Sequence, residues 1–319
     1  MRKATLIRGA RQLLTLRGPS GPRRGTDLRN LGIIQDGAVL IVDGVIVEVG
    51  PSRRVENLAL ARGAEEIDAS GCVVMPGFVD SHVPLVRNAQ ELSPRALKAL
   101  ALHQIEDAIR CGTTALEATS GPGLTEAGAL KVLRIHAALR ELPLTLVSTL
   151  LTSDEHLLAM PRIRRLADFV EICRDDTALL GQALQLGWSV KPQDVVGLNP
   201  VQPFLANEPY PEARALVDRG TAITLASGAN MQTAIALAYH AMNLTAAEAI
   251  AASTINGAYA IGQAHSIGSI EAGKSADLAI LRLPDYRELP YHLGVNLVNL
   301  VMIRGSVLVE RSKVKWPDR

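Results

Sequence analysis

From Val73 to about His265, strand-like apolar runs alternate with helical patterns, and this alternation constrains the fold more than any other feature of the chain. Strands are expected near 73–79, 113–118, 144–151, 168–173, 187–191 and 222–226. The helix after Ser93-Pro94 shows its period well. It has an N-cap serine, proline at the first helical position, apolar Leu97, Leu100, Ala101, Ile105, Ala108 and Ile109, and Gly112 as a stop. Pro211 and Gly220 bracket another helix, and Thr245-Ala-Ala-Glu248 has capping-box spacing. Such a succession is the pattern of parallel strands joined by crossover helices. The region spans 193 residues from Val73 to His265, whereas a closed eight-unit barrel takes about 250 and rarely fewer than ~200. At Pro192-Gln193-Asp194-Val195 two strand-like runs are joined by only a few residues, although a parallel crossover needs at least ~10. Either the runs form one bent strand or a βα unit is missing.

Both ends of the chain read as β structure. Ala38 to Val42 and Val45 to Val49 flank Asp43-Gly44, a dipeptide suited to the positive-φ positions of a tight hairpin. Beyond Ser266, runs from Asp277 to Leu283 and Val295 to Ile303 precede a turn at Arg304-Gly305 and a strand ending at Glu310. Neither end alone covers much of a sheet face, so one composite domain is expected. The expected class is α/β, a shortened or incomplete TIM-like (β/α) barrel over residues 73–265. Beside it stands a composite β-sandwich domain from residues 1–72 and 266–319.

Hydrophobic residues at 48% against 20% charged supply a sizeable core and exclude a disordered chain. The formal charge is +1 with no block of like charges, so no nucleic-acid partner, no membrane partner and no basic groove is expected. Arg8 and Arg11 interrupt the apolar run that a signal peptide would need, and a cytoplasmic chain is expected. Cys72, Cys111 and Cys173 lie far apart, so neither a disulfide framework nor a zinc finger is supported. The stretch Arg17 to Gly25, dense in Gly and Pro, reads as a solvated turn rather than a phosphate site.

The run Ile67-Asp-Ala-Ser-Gly-Cys-Val-Val-Met-Pro-Gly-Phe-Val-Asp-Ser-His82 resembles the first barrel strand of the amidohydrolase superfamily. Ile267-Gly-Ser-Ile-Glu-Ala-Gly-Lys-Ser-Ala-Asp-Leu-Ala-Ile280 resembles its return into the β-sandwich. Within the superfamily the chain is most similar to the imidazolonepropionase family. That likeness is carried by Gly21-Pro-Arg-Arg-Gly25, Thr119-Ser-Gly-Pro-Gly-Leu124, Ala167-Asp-Phe-Val170, Tyr210-Pro-Glu-Ala-Arg-Ala-Leu216 and Asp285-Tyr-Arg-Glu-Leu-Pro-Tyr-His-Leu-Gly-Val-Asn296. Stretches near 154–166 and 192–195 are short by comparison. The resemblance implies a hydrolase of cyclic amides whose single metal is held by His-x-His ending strand 1, a histidine ending strand 5 and an aspartate ending strand 8. Alternate residues of a strand point the same way, so His-x-His would aim two imidazoles into the barrel mouth.

The matching positions here are His82-Val83-Pro84, Pro192 and Gly228. Three of the four lack a donor side chain, His82 is the residual candidate, and no resident cofactor is expected. The family's Ser-Gly-Tyr-Gly reads Ser120-Gly-Pro-Gly123, its glutamate after strand 4 falls on Arg174, and its strand-3 histidine falls on Asp154 with His156 two residues on. Its carboxylate-gripping arginine corresponds to Arg87.

A catalytic zinc needs three protein ligands and an open position. Lowering the pKa of bound water from ~15.7 to ~7 is worth up to about 12 kcal/mol at ~1.36 kcal/mol per unit. A lone general base supplies ~3 to 5 kcal/mol. His82 alone therefore does not replace the site, and a pseudoenzyme is expected. It would bind a small carboxylate or cyclic amide through Arg87, Arg174 and His156, or act as a subunit in a homo-oligomer or beside an active homologous partner. The alternative is an active hydrolase whose one zinc or iron ion has moved onto His82, Asp154 or Glu155, His156 and Cys173. Asp80, Ser81 and His82 are not read as a catalytic triad, because Asp80 and His82 share a strand face and Ser81 points away. Cys111 and Cys173 read as buried small apolar groups, and His103, His136 and His240 as surface or packing residues of helices. Ser120 to Gly123 and Ser227 to Asn230 read as ordinary turns.

Overall fold

The structure, a computed structural model, describes residues 3–19, 21–86, 91–173, 176–311 and 313–316. Five strands open the chain: β1 (Ala4–Leu14), β2 (Ile33–Val42), β3 (Val45–Pro51), β4 (Glu65–Asp68) and β5 (Val73–Pro76). The strands that follow in the α/β region are β6 (Phe78–Val83), β7 (Thr113–Thr119), β8 (Thr145–Thr152), β9 (Phe169–Ile172), β10 (Val195–Leu198) and β11 (Ala222–Leu225). β12 (Leu278–Leu281), β13 (Val298–Ile303), β14 (Ser306–Glu310) and β15 (Lys313–Val314) close it.

The two ends interleave into one mixed sheet of order β15-β14-β13-β12-β5-β1-β2-β3, with β4 alongside β1. β12 runs antiparallel to β5, with Leu278 opposite Pro76 and Leu281 opposite Val73. The single run expected over 73–79 is therefore two elements, β5 in this sheet and β6 in the barrel. Asp43-Gly44 turns the β2–β3 hairpin with φ of 49° and 82°, and Arg304-Gly305 turns β13–β14 with 49° and 72°. A Cβ on Gly44 would stand 2.5 Å from the Arg304 carbonyl oxygen, so the two turns abut and leave no room for a side chain there.

β6-β7-β8-β9 form a parallel sheet and β10-β11 a second parallel pair. Every residue of β7 is buried, as in a parallel strand covered on both faces. Beyond β9, Val190 makes an isolated parallel bridge to Val170. At the other end β11 stands beside β6: the Ser81 hydroxyl donates to the Leu225 carbonyl at 3.1 Å and the Thr224 hydroxyl to Ser81 Oγ at 3.0 Å. Among the described residues no ladder joins Val190 to β10, and the curled barrel is open there. The two runs around Pro192 are thus separate: the first, expected as a strand over 187–191, makes only the isolated bridge to β9, and the second is β10, which pairs through Val195 with Ala222 of β11. The four residues between them are too few for a crossover.

The caps are as expected. Ser93 accepts from the Ala96 N–H at the head of the Pro94–Arg110 helix, and Thr245 and Glu248 form the capping box of Ala246–Ala252. Glu248 does more than cap. Its buried carboxylate also takes two hydrogen bonds from Arg214 at 2.9 and 3.1 Å and one from Arg29 at 3.0 Å, tying the N-terminal loop to two helices. Burial alone would raise this carboxyl, but the Thr245 N–H and the two guanidinium groups hold it below the usual range. A carboxyl held down in the folded state stabilises above its unfolded pKa, and that contribution fades as pH falls through the folded value. Glu248→Ala is expected to lower the free energy of urea unfolding by ~3 kcal/mol at neutral pH, with the difference from the unmodified chain narrowing below about pH 4.

The Arg17 to Gly25 stretch is solvated only in part, with Arg17, Gly18 and Pro19 exposed. Arg23 is the exception: it is buried, and its guanidinium donates to the Leu16 and Pro19 carbonyls at 3.1 and 3.0 Å. Among the described residues no helix is long and apolar enough to cross a membrane.

Candidate functional site

A cleft of about 640 Å³ lies at the carboxyl ends of β6, β9, β10 and β11, against the opening of the barrel. Parallel-strand termini are where α/β folds place binding groups, because the loops that follow are free of the core. Ser81 and His82 come from β6, Glu171 from β9, and Lys191 and Pro192 from the connection that crosses the opening.

The centre of the site is an ion pair. Lys191 Nζ lies 2.6 Å from Glu117 Oε2, 3.4 Å from Glu171 Oε2 and 3.2 Å from the Ser81 carbonyl. Glu117 has no exposed side-chain surface, and its other oxygen accepts from the Thr149 hydroxyl at 2.6 Å. Burial pushes the Glu117 carboxyl up to about 7 against the opposing pull of Lys191 and Thr149. Burial would likewise lower the lysine, but the two carboxylates outweigh it and hold the ammonium above its ordinary range. Lys191 is therefore a cation near neutral pH and not a nucleophilic amine. His82 is half-buried, and burial keeps its imidazole below the usual value, with Glu171 raising it and Lys191 adding to the depression.

Asp80 faces away from this cluster. Its carboxylate accepts from the Ser227 N–H at 3.1 and 3.2 Å, the Ser227 hydroxyl at 2.6 Å and the Gly228 N–H at 3.0 Å. Complete burial pushes it up to about 6 against those donors. Ser81, expected to point away from His82, lines the cleft with it, because the β6–β7 register shifts between Asp80 and Val83 and breaks simple alternation. No triad forms, since the serine and aspartate hydroxyl and carboxylate are committed to β11 and its loop.

The other expected residues scatter. Arg87 and Arg174 lie outside the described residues. His156 is exposed on a short helix, its Nε2 3.6 Å from Glu126, and Asp154 caps that same helix rather than facing the cleft. Cys173, expected to be buried, is exposed, because it follows the last residue of β9 instead of lying within it. Cys111 is held up to about 11 by burial, which leaves it protonated. His103 is exposed and pairs with Asp107, and His240 meets the Pro290 carbonyl at 3.1 Å. His136 is fully buried, 2.9 Å from Ser148 Oγ, and burial lowers it to about 3, so it packs a helix onto β8 as a neutral ring.

A metal ion of the implied kind does not fit these side chains. Pro84, Pro192 and Gly228 offer no side-chain donor, Asp80 is consumed by the loop after β11, and a lysine ammonium stands in the mouth. Among the described residues no group of three or more His, Cys, Asp or Glu side chains could hold a metal, and the relocated set does not assemble.

Residues 207–308 match the model of the amidohydrolase family. The chain is 31% identical to an imidazolonepropionase of Parabacteroides distasonis, over 95% of this chain and 98% of that one. It belongs to the imidazolonepropionase group of the amidohydrolase superfamily. The imidazolonepropionase of Symbiobacterium thermophilum is 30% identical over 97% and 98% of the two chains. Since 95% of 319 residues fills about 300 of the 408 aligned positions, roughly a hundred positions of the first relative have no counterpart here. This imidazolonepropionase relative also shares its fold, with a TM-score of 0.73 at 15% identity, with an atrazine chlorohydrolase of Arthrobacter aurescens solved with zinc and atraton, covering 98% of this chain and 97% of that one.

Proposed function

We propose that the chain is a non-hydrolysing relative of imidazolonepropionase that holds a small cyclic amide or carboxylate in its cleft. The observation that carries this reading is Lys191, whose ammonium pairs with buried Glu117 in a mouth where three of four ligand positions have no donor. A fixed positive charge there opposes a divalent cation, and the buried Glu117 carboxylate is already committed to it. Gln193 and Gln202 bring amide groups to the cleft wall and Glu171 and Asp176 bring carboxylates, a set that matches the carbonyl and N–H of a cyclic amide. Arg87 and Arg174 are the proposed anchors when the ligand carries a carboxylate. Exposed Leu184, Val196, Phe204 and Leu205 belong to elements beside the opening, which supports pairing with a second copy or an active homologous subunit. The three unbridged cysteines support a reducing, cytoplasmic setting.

Calorimetric titration with 2-imidazolidinone and with glutarate is expected to show saturable binding of at least one of them, with no turnover of a cyclic amide when zinc or iron is added. Hydrolysis that a chelator abolishes, accompanied by tightly held metal that His82→Ala removes, would overturn this reading.

A further inference from the structure

Net charge says nothing of where charges gather, and the fold gathers four cations that the sequence leaves apart. The Pro94–Arg110 and Glu126–Leu139 helices pack side by side on the outer face of the barrel. Between them runs a groove of about 620 Å³. Arg95 and Lys98 line one bank and Lys131 and Arg134 the other, each pair three residues apart and so on one face of its helix. The floor is apolar, formed by Ala127 and Ile135 among others. The expectation that no basic groove exists is corrected here, because the chain's +1 balance averages over clusters that tertiary packing creates.

The acids of these helices are already engaged elsewhere. Glu106 pairs with Arg110 at 2.7 Å, His103 with Asp107 at 3.0 Å, and Glu126 with Arg162 and His156. Arg95, Lys98 and Arg134 make no ion pair among the described residues. Lys131 reaches the Leu92 carbonyl at 3.3 Å, which keeps its ammonium at the head of the groove.

We propose that this groove docks an acidic amphipathic helix of a partner protein. An apolar floor between two cationic banks is complementary to a helix with an apolar stripe flanked by Glu and Asp. Nucleic acid and lipid fit less well. A duplex would use the cations but bury nothing against the floor, aromatic stacking groups are 3% of the chain, and a recessed groove does not lie flat on a bilayer.

The test is fluorescence anisotropy with the full chain and three probes: a helical peptide of about 16 residues bearing Leu at i, i+3, i+4 and i+7 between Glu rows, a random-sequence DNA duplex, and phosphatidylserine vesicles. The peptide is expected to bind, more weakly as salt rises. The Lys98→Glu/Arg134→Glu double variant is expected to weaken it at least about tenfold, while Lys98→Arg/Arg134→Lys leaves it within about twofold. Ala127→Trp fills the floor and is expected to abolish peptide binding without affecting electrostatic binding of DNA or vesicles. All three variants lie on helix surfaces, and unchanged circular dichroism confirms their fold. Peptide binding that is absent, or indifferent to both charge reversal and Ala127→Trp, overturns the proposal. DNA or vesicles bound more tightly than the peptide through the same cations also overturns it, in favour of that polyanion.

Discussion

Lys191→Met is expected to destabilise the protein by ~3 to 5 kcal/mol at pH 8, because it leaves Glu117 as a buried carboxylate with only the Thr149 hydroxyl to hold it. The loss should shrink to ~1 to 2 kcal/mol at pH 5.5, by the following linkage. Folding already raises the Glu117 carboxyl from 4.5 to about 7. The folded state therefore binds this proton more tightly than the unfolded state, and ionising Glu117 works against the fold as pH climbs from about 4.5 towards 7. Removing the ammonium removes the main influence that keeps Glu117 from rising further, so the cost grows with alkalinity and is relieved by acid. The double variant Lys191→Met/Glu117→Gln carries no buried charge at this pair and should recover most of the loss at pH 8. Urea unfolding of the single and double variants at the two pH values measures all of this. A loss independent of pH, or one that Glu117→Gln adds to, would show that Lys191 acts through its packing and that the pair is not the organising feature of the cleft.

The same pair shows where sequence reasoning stops. The succession of strands and helices is legible because apolar period and capping residues are local, and Ser93, Thr245 and Glu248 all sit where their spacing places them. The opening in the barrel is legible too, since four residues cannot carry a crossover whatever the fold around them. Glu117 and Lys191 are 74 residues apart and meet only because β7 and the chain beyond β9 belong to one curled sheet. A signal was present: Glu117 interrupts Thr-Thr-Ala-Leu-Glu-Ala-Thr, a run buried on both faces, and a charge in such a run requires a partner. The sequence demands that partner without naming it. Likewise Arg95, Lys98, Lys131 and Arg134 become a cluster only when two helices lie side by side. Arg23, read as solvated from its Gly and Pro neighbours, is buried, its guanidinium bonded to the Leu16 and Pro19 carbonyls, which no local pattern in the sequence names as its partners.

Asp80→Ala is expected to be about as damaging as loss of Lys191, through a different cause. The Asp80 carboxylate is the acceptor for three donors, the Ser227 N–H, the Ser227 hydroxyl and the Gly228 N–H, and it is 1% exposed. Asp80 is enclosed, so each donor left without its acceptor forfeits ~1 to 3 kcal/mol, and together, with incomplete additivity, ~3 to 5 kcal/mol. Asp80→Asn keeps the shape and one acceptor oxygen and should cost ~1 to 2 kcal/mol. These bonds fasten the loop after β11 to β6, at the seam where Ser81 also bonds to Thr224 and Leu225. The damage should therefore be local before it is global. Hydrogen exchange is expected to quicken at the Ser227 and Gly228 amides in Asp80→Ala while the β2–β3 hairpin stays protected, because that hairpin belongs to the other sheet. Since Ser81 and Thr224 wall the cleft, ligand binding should weaken along with the seam. Exchange that quickens equally in both sheets would mean that Asp80 supports the whole fold, and that the barrel seam and the composite sheet unfold as one unit.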